Sequence, residues 1–457
     1  MSTRLQVSGY RFLLRRMEHA VVRGDVRMLD DPLRAQSLSL IAGCVLAVIA
    51  IAGCAIVAFV RPQGALGNAA IVMTRESGAL HIRIGDTMHP VLNLASARLV
   101  AGNPASPEAI SDAAIASANR GPLVGIPGAP ATIDDPFNLD ESGWTVCDDP
   151  TTTTVIAGAI PSVPDSGASV LVTPKTESAA TTYLLHGGRR ARVDLRNHAV
   201  VRALRLDGVT PQPVSRAMLN AIPEAPPIAA PNIGEAGSPG PLSTPGFMVG
   251  AVVRVARTQA TEYYVVLADG VQRIGEVAAD LIRFSDSQHR REIVAVAPDI
   301  IGSVPLVHDL PVASFPDHGG VAQEAVVCAQ WAAAHGGDVK TALLVGDSLP
   351  VAGGTPVGLV QADGTGPNVD SVVMTHGRSA YIRASGITGQ GGSTGALYLV
   401  TDSGIVFGVH DDEAAKRLGL SGTPVPAPWP VLARLPRGPE LSVQAASVVR
   451  DSIWPTS

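Results

Sequence analysis

Three stretches of this chain carry residue types that could do chemistry. Gly336–Thr341 reads GGDVKT and sets a lysine and a threonine after two glycines, as a phosphate-binding loop does. A phosphate cradle needs a glycine directly before its lysine and a helix after it, whose first N–H groups meet the phosphates. Here Val339 precedes Lys340, and Lys340-Thr341 run straight into ALLV, which reads as a strand. No acidic residue matches a metal-binding partner for such a loop. GDSL at Gly346–Leu349 has the letters of an esterase nucleophile block, but the Asp-x-x-His partner should follow it. The one match, Asp286 to His289, comes earlier, so Ser348 reads as a turn residue after ALLV. GGSTG at Gly391–Gly395 fits G-x-S-x-G in letters. A nucleophile elbow stands between a strand and a helix, whereas this stretch stands between GITGQ and the strand GALYLV. His186, His289, His308, His335 and His410 show no metal-ligand spacing. The expectation is therefore no catalytic residue, no metal and no cofactor, with ATP entering only under an alternative reading.

The elements that would position any site begin with a membrane segment. No charged residue occurs between Arg34 and Arg61, and Ser37–Val60 is apolar or small throughout apart from its serines. At about 1.5 Å per residue this run spans about 36 Å, enough for a hydrocarbon core of about 30 Å. Arg4, Arg11, Arg15, Arg16, Arg23, Arg27 and Arg34 precede it, whereas after Arg61 no basic residue occurs until Arg75. The positive-inside rule places residues 1–36 in the cytoplasm and residues 61–457 outside, with 37–60 as one transmembrane helix. A cleaved signal peptide would be shorter. A lipidated cysteine in IAGC would be followed by a polar tether, but Cys54 is followed by AIVAFV.

Composition narrows the function classes. The 457 residues are 46% hydrophobic and 16% charged, which excludes a disordered chain. Net charge is −6 and aromatic residues are 4%, so nucleic-acid binding has no electrostatic footprint outside the first 34 residues. In the tail, Val7, Tyr10, Leu14, Met17 and Val21 recur at helical spacing with arginines between them. That predicts an amphipathic helix ending before Asp31-Pro32. One reading lays it on anionic lipid. The other makes Val7, Tyr10, Phe12, Leu13, Leu14 and Met17 a docking face for a cytoplasmic partner.

Cys44 and Cys54 fall in the membrane run, leaving Cys147 and Cys328 outside it. Two cysteines without clustered histidines cannot make a structural zinc site. In an oxidising compartment such a pair forms a disulfide, here closing a loop of about 180 residues.

A β-hairpin signature recurs in the exported part, as LHIRIGDTMHPV from Leu80, YLLHGGRRARV from Tyr183, YVVLADGVQRI from Tyr264 and LYLVTDSGIVFGV from Leu397. The turns fall at Gly85, Gly188, Gly270 and Gly404, and a helical segment follows each hairpin. The units expected are residues 76–130, 181–228, 261–315 and 395–445. Each is too small to hide its own apolar face, so the four should pack around a central domain from 137–180, 246–260 and 320–394. Strands such as ASVLVTP, GAVVRVA, KTALLV and SVVMTHG fit a central sheet. The proline-rich run 223–246 reads as an extended linker between two pairs of repeats. The fold class is α+β, with an elongated, pseudo-twofold ectodomain.

The tail up to Gln36, the apolar run, GALHIRIGDTMHPVLNLASARL and RGPLVGIPGAP closely resemble the EccB family of the mycobacterial type VII (ESX) secretion system. SRAML at Ser215–Leu219, FGV at Phe407 and LPRGPELS extend the resemblance over nearly the whole chain. It implies a single-pass subunit of the inner-membrane secretion core, with the motor ATPase EccC, EccD, EccE and a mycosin protease as partners. It also implies a periplasmic domain of four repeats around a disulfide-linked centre that associates with its own kind. The expectation is a scaffold without a chemical step. The alternatives are an ATP-hydrolysing subunit of the same system and a cell-wall-binding module, the latter without an aromatic sugar-stacking cluster.

Overall fold

The computed structural model describes residues 4–24, 32–60, 67–158, 166–175, 181–242, 247–257, 260–285, 292–351, 354–420 and 422–451. Asp31, the Asp286–His289 match and parts of the expected linker, repeats and central domain lie outside these residues. The chain is mixed α+β and divides into two units. The first holds the helices Arg4–Arg23 and Pro32–Val60, with residues 74–78 and 109–118. Within the second helix, Ser37–Val57 is long and apolar enough to cross a membrane, with a mean hydropathy of 2.9.

The second unit is built on one plan used four times. In the second repeat the strands Val170–Pro174, Thr182–His186 and Arg189–Val193 run antiparallel. The helix His198–Ala203 follows, and Gln212–Val214 then pairs parallel to the first strand. After the helix Arg216–Asn220, Glu224–Ile228 pairs parallel to the third strand. The third repeat uses Val252–Ala256, Thr261–Val266, Val271–Ile274, the helix Glu276–Ser285 and Val294–Ala295, and closes on a bridge from Val271 to Leu306. The fourth uses Arg378–Ser385, Leu397–Val400, Val406–Val409, the helix Asp412–Leu418 and Val425–Pro428, and closes on bridges to Arg437 and Leu441. In the first, Ile71–Thr74, Leu80–Ile84 and Thr87–Pro90 precede the helix Leu94–Ala101, and Asn119–Arg120 pairs parallel to the third strand.

Side-chain caps fix where three of the four main helices start. Asn93, Asn197 and Asp411 accept from the backbone N–H of Ser96, Ala199 and Ala414. Each repeat thus begins one strand earlier than the hairpin pattern suggested. ASVLVTP and GAVVRVA, expected in the central sheet, are the first strands of the second and third repeats. The nearly fully buried strand 170–174 has no polar alternation to mark it, whereas 252–256 alternates, with Arg254 exposed, and its alternation does not say which sheet it joins.

Six strands form the central sheet, in the order Val339–Gly346, Val326–Ala333, Gly143–Asp148, Thr153–Gly158, Ser371–Val373, Val357–Gly358. Its larger buried face carries Trp144, Val146, Val155, Val327 and Trp331, which share one core with Val172, Leu185 and Met218 of the second repeat and Ile382, Val400 and Leu432 of the fourth. The outer repeats attach across the halves of the sequence. Ala95 and Leu99 of the first pack with Phe407, Ala415 and Leu418 of the fourth. Val277 and Leu281 of the third pack with Val200 and Leu204 of the second. Exchanging the first and second repeats with the third and fourth leaves this pattern of neighbours unchanged.

The run expected as an extended linker is instead packed where the structure describes it. Glu224–Ile228 is a sheet strand whose Ala225 and Ile228 are buried, and Pro239 bridges Met248 beside the buried Leu242. Proline suits the outermost strand of a sheet, where one row of N–H groups needs no partner. A proline-rich composition therefore does not separate a linker from an edge strand.

Candidate functional site

The site of interest is the centre where distant parts of the chain meet. Cys147 and Cys328 stand opposite each other on adjacent antiparallel strands, 4.0 Å apart at Cα, and form a disulfide. That spacing is the close one of a non-hydrogen-bonded antiparallel pair. Three residues along the same two strands, Trp144 faces Trp331, and both are fully buried. Side chains alternate along a strand, so the sulfurs and the indoles lie on opposite faces. The sulfurs pack with Ile156, Val326, Leu344 and Val373. The strands 143–148 and 326–333 lie on either side of the second and third repeats in sequence, so the sheet is woven from both halves.

Asp148 ties this sheet to the second repeat. It is buried, and its carboxylate accepts from the Thr153 hydroxyl at 2.8 Å and from the backbone N–H of Ser215. Ser215 in turn caps the helix Arg216–Asn220 by accepting from the Met218 N–H at 3.1 Å. Burial pushes the Asp148 carboxyl above the usual range, while the bonds from Ser215 and Thr153 and the charge of Lys175 work against that shift. The SRAML segment is therefore a capped helix held by a carboxylate of the sheet. Nothing in the sequence set Asp148 apart from the adjacent Asp149. Asp370 closes the far side, accepting from the N–H groups of Thr153 at 2.7 Å and of Asp363 and Gly364 at 2.8 and 2.7 Å.

The expected turn glycines occupy turns for two different reasons. Gly85, Gly188 and Gly404 adopt φ of 60°, 65° and 79°, the left-handed region that suits glycine. Gly270 is not left-handed, but a Cβ there would lie 2.3 Å from the Pro305 carbonyl oxygen. Gly188 meets both conditions, because a Cβ would also come within 2.3 Å of the Thr341 carbonyl oxygen in the edge strand of the central sheet.

The residues with catalytic spelling are not brought together. Lys340 lies within the strand Val339–Gly346, paired with Ala332, and no helix follows. Ser348 is exposed just beyond that strand. Gly391–Gly395 forms a turn closed by the Gly395 N–H on the Gly391 carbonyl. His335 and His410 sit beside Asp140 and Glu440, His308 is exposed and His186 is buried. Among the described residues no group of three His, Cys, Asp or Glu side chains could hold a metal ion. On the N-terminal helix, Val7, Tyr10, Leu13, Leu14 and Met17 are exposed and Phe12 is partly covered.

The family model described as type VII secretion system ESX-1, transport TM domain B, matches residues 1–455. The chain belongs to this family, the EccB proteins. It is 37% identical to the protein called ESX-3 secretion system ATPase EccB3 of Mycolicibacterium smegmatis, over 99% of this chain and 91% of that one. It is 33% identical to the ESX-5 secretion system ATPase EccB5 of Mycobacterium tuberculosis, over 99% and 94%. Among solved structures it resembles a chain of an intact ESX-5 inner membrane complex, with a TM-score of 0.72, 32% identity and 100% and 97% of the two chains covered. It also resembles an EccB3 dimer from the ESX-3 core complex, with a TM-score of 0.70, 32% identity and 83% and 100% covered. The woven sheet, the disulfide and the four repeats are thus features of an EccB protein.

Proposed function

We propose that this chain is a scaffold subunit of a type VII secretion inner-membrane complex. One helix crosses the membrane with the basic N-terminus in the cytoplasm, and the repeat domain lies on the far side, where copies associate. The observation that carries this reading is the likeness, over the full length of the chain, to a subunit of an intact ESX-5 inner membrane complex. The likeness to an EccB3 dimer supports self-association. A domain cross-linked through its centre suits a part whose work is geometry. The exposed face of Val7, Tyr10, Leu13, Leu14 and Met17 supports docking of the tail on cytoplasmic parts, with EccC, EccD, EccE and a mycosin protease as the partner set.

The word ATPase in the relatives' names favours a second reading, in which this subunit hydrolyses ATP. Phosphate chemistry asks for a lysine at a loop that opens a helix, and Lys340 is held in mid-strand instead.

The test is gentle detergent extraction of the chain tagged at its C-terminus, with co-purifying proteins identified by mass spectrometry. Recovery in a large complex with the motor ATPase and multi-pass partners is expected. Recovery alone, with ATP turnover that survives repurification, would reverse the two readings. For the tail, Leu13→Asp with Leu14→Asp should deplete the other components from the complex, and their undiminished recovery would refute docking.

A further inference from the structure

The ladder of the fourth repeat has a gap. On one side of the strand Arg378–Ser385, residues 380–383 pair with Leu397–Val400. On the other side, Arg378 and Ser379 pair with Asp135 and Pro136, and residues 382–385 pair with Val425–Pro428. Ala380 and Tyr381 have no ladder partner on that side. A groove of about 400 Å³ opens here, lined by Pro136, Phe137, Leu139, Tyr381, Pro424 and Pro426. Tyr381 is 5% exposed, and its hydroxyl makes no hydrogen bond among the described residues.

Charge brackets the groove. Residues 121–174 contain no Lys or Arg, and four of the seven acids of this run flank the lining segment, with Asp134 and Asp135 before it and Asp140 and Glu141 after it. Glu141 is neutralised by Arg378 at 2.6 Å and Asp140 lies 3.0 Å from His335. The carboxylates of Asp134 and Asp135 make no ion pair among the described residues.

We propose that this groove binds an extended, proline-containing segment of a partner protein that carries a flanking Arg or Lys. Proline and aromatic walls accept the preformed left-handed polyproline conformation, which loses little entropy on binding. The Tyr381 hydroxyl supplies one donor to a backbone carbonyl, the only hydrogen-bonding group a proline segment offers in quantity. Asp134 and Asp135 select the cation and reject an acidic flank. The groove stands apart from the scaffold reading, since co-purification tests that reading whether or not this groove is occupied.

The test uses the full chain in detergent and a fluorescein-labelled peptide, RPLPPLPR, followed by fluorescence anisotropy. Saturable binding is expected, with roughly tenfold weaker binding of EPLPPLPE. Asp134→Lys with Asp135→Lys should reverse that preference, and these surface positions leave the core intact. Tyr381→Phe should weaken RPLPPLPR roughly three- to tenfold while keeping the ring in place. Absence of saturable binding up to about 1 mM, equal binding of the two peptides, or indifference to both variants would overturn the proposal. Loss of probe binding as the chain is concentrated would give the groove to a second copy and would also overturn it.

Discussion

Arg98 and Arg417 each complete the end of the other's helix. Arg98 Nη1 donates to the Leu418 carbonyl at 2.8 Å, and Arg417 Nη1 donates to the Leu99 carbonyl at 3.1 Å. Leu418 is the last residue of the helix 412–418, and Leu99 lies in the last turn of the helix 94–101. Carbonyls there have no partner within their own helix, and a cation is favoured at that end of the macrodipole. Both helices stop on a left-handed glycine, Gly102 and Gly419. The first and last repeats are thus joined by polar contacts that neither could satisfy alone, on top of the apolar surface they share.

From this reciprocity, Arg98→Ala should raise hydrogen exchange in the helix 412–418, and Arg417→Ala should raise it in the helix 94–101. Each change removes a charged hydrogen bond worth about 1.5–3 kcal/mol. Exchange that rises only in the helix carrying the substitution would show that the two caps are independent.

Replacing Cys147 and Cys328 together with alanine should lower stability by up to about 5 kcal/mol, since the bridge closes a very long loop. Because the two residues are already opposed in a sheet buried on both sides, the strands should stay paired at 25 °C. Urea unfolding followed by emission of the buried Trp144 and Trp331 would show a lower midpoint with unchanged native emission. Red-shifted emission before urea is added would mean that the disulfide holds the sheet together by itself. In the reduced wild type, both thiols should resist alkylation until the chain unfolds.

What could be read from the sequence followed from local chemistry. The hairpins announce themselves through their apolar runs and turn glycines, the helices through the Ala/Leu/Arg segments after them, and the membrane run through its lack of charge. The strands 170–174 and 252–256 were assigned to the wrong sheet because neither burial nor alternation within a strand says which neighbour it pairs with. Asp148, Arg98 and Arg417 were illegible for a related reason. Each matters through a backbone group that is remote in sequence, and one sequence holds no trace of that distance.

The turn glycines should separate by cause. Gly85→Ala meets open space and only the cost of a left-handed backbone, about 1 kcal/mol. Gly188→Ala adds a collision with the Thr341 carbonyl in the central sheet and should cost about 3 kcal/mol or more. Gly270→Ala carries no backbone penalty but strikes the Pro305 carbonyl, so it should fall between the two. Equal losses in thermal unfolding at all three positions would contradict this ranking.

His410 offers a pH signature on the fourth repeat. Its Nδ1 lies 2.7 Å from Glu440 Oε1, and that hydrogen bond, the charge of Glu440 and then Asp411 raise its pKa above the usual histidine value. A raised folded pKa means that the imidazolium favours the fold. This contribution is complete below about pH 6.5 and is lost as pH climbs through the raised value. Glu440→Gln should move the His410 titration downward in an NMR pH series. A His410 curve that does not move would assign the shift to some other group.

Nucleotide chemistry gives the last prediction. If this subunit turned over ATP through its one lysine that follows glycines, Lys340→Ala would abolish turnover. The fold points the other way. Lys340 is held in an eight-residue strand opposite Ala332, where the backbone N–H groups serve the sheet and are not free to wrap a phosphate. The chain purified free of other proteins should therefore show no ATP hydrolysis above a mock preparation, and Lys340→Ala should leave export by the assembled complex unchanged. Turnover that stays with the purified chain and falls at least tenfold in Lys340→Ala would require the strand 339–346 to open. In that case the edge of the central sheet, and not its woven centre, would be the working part of the molecule.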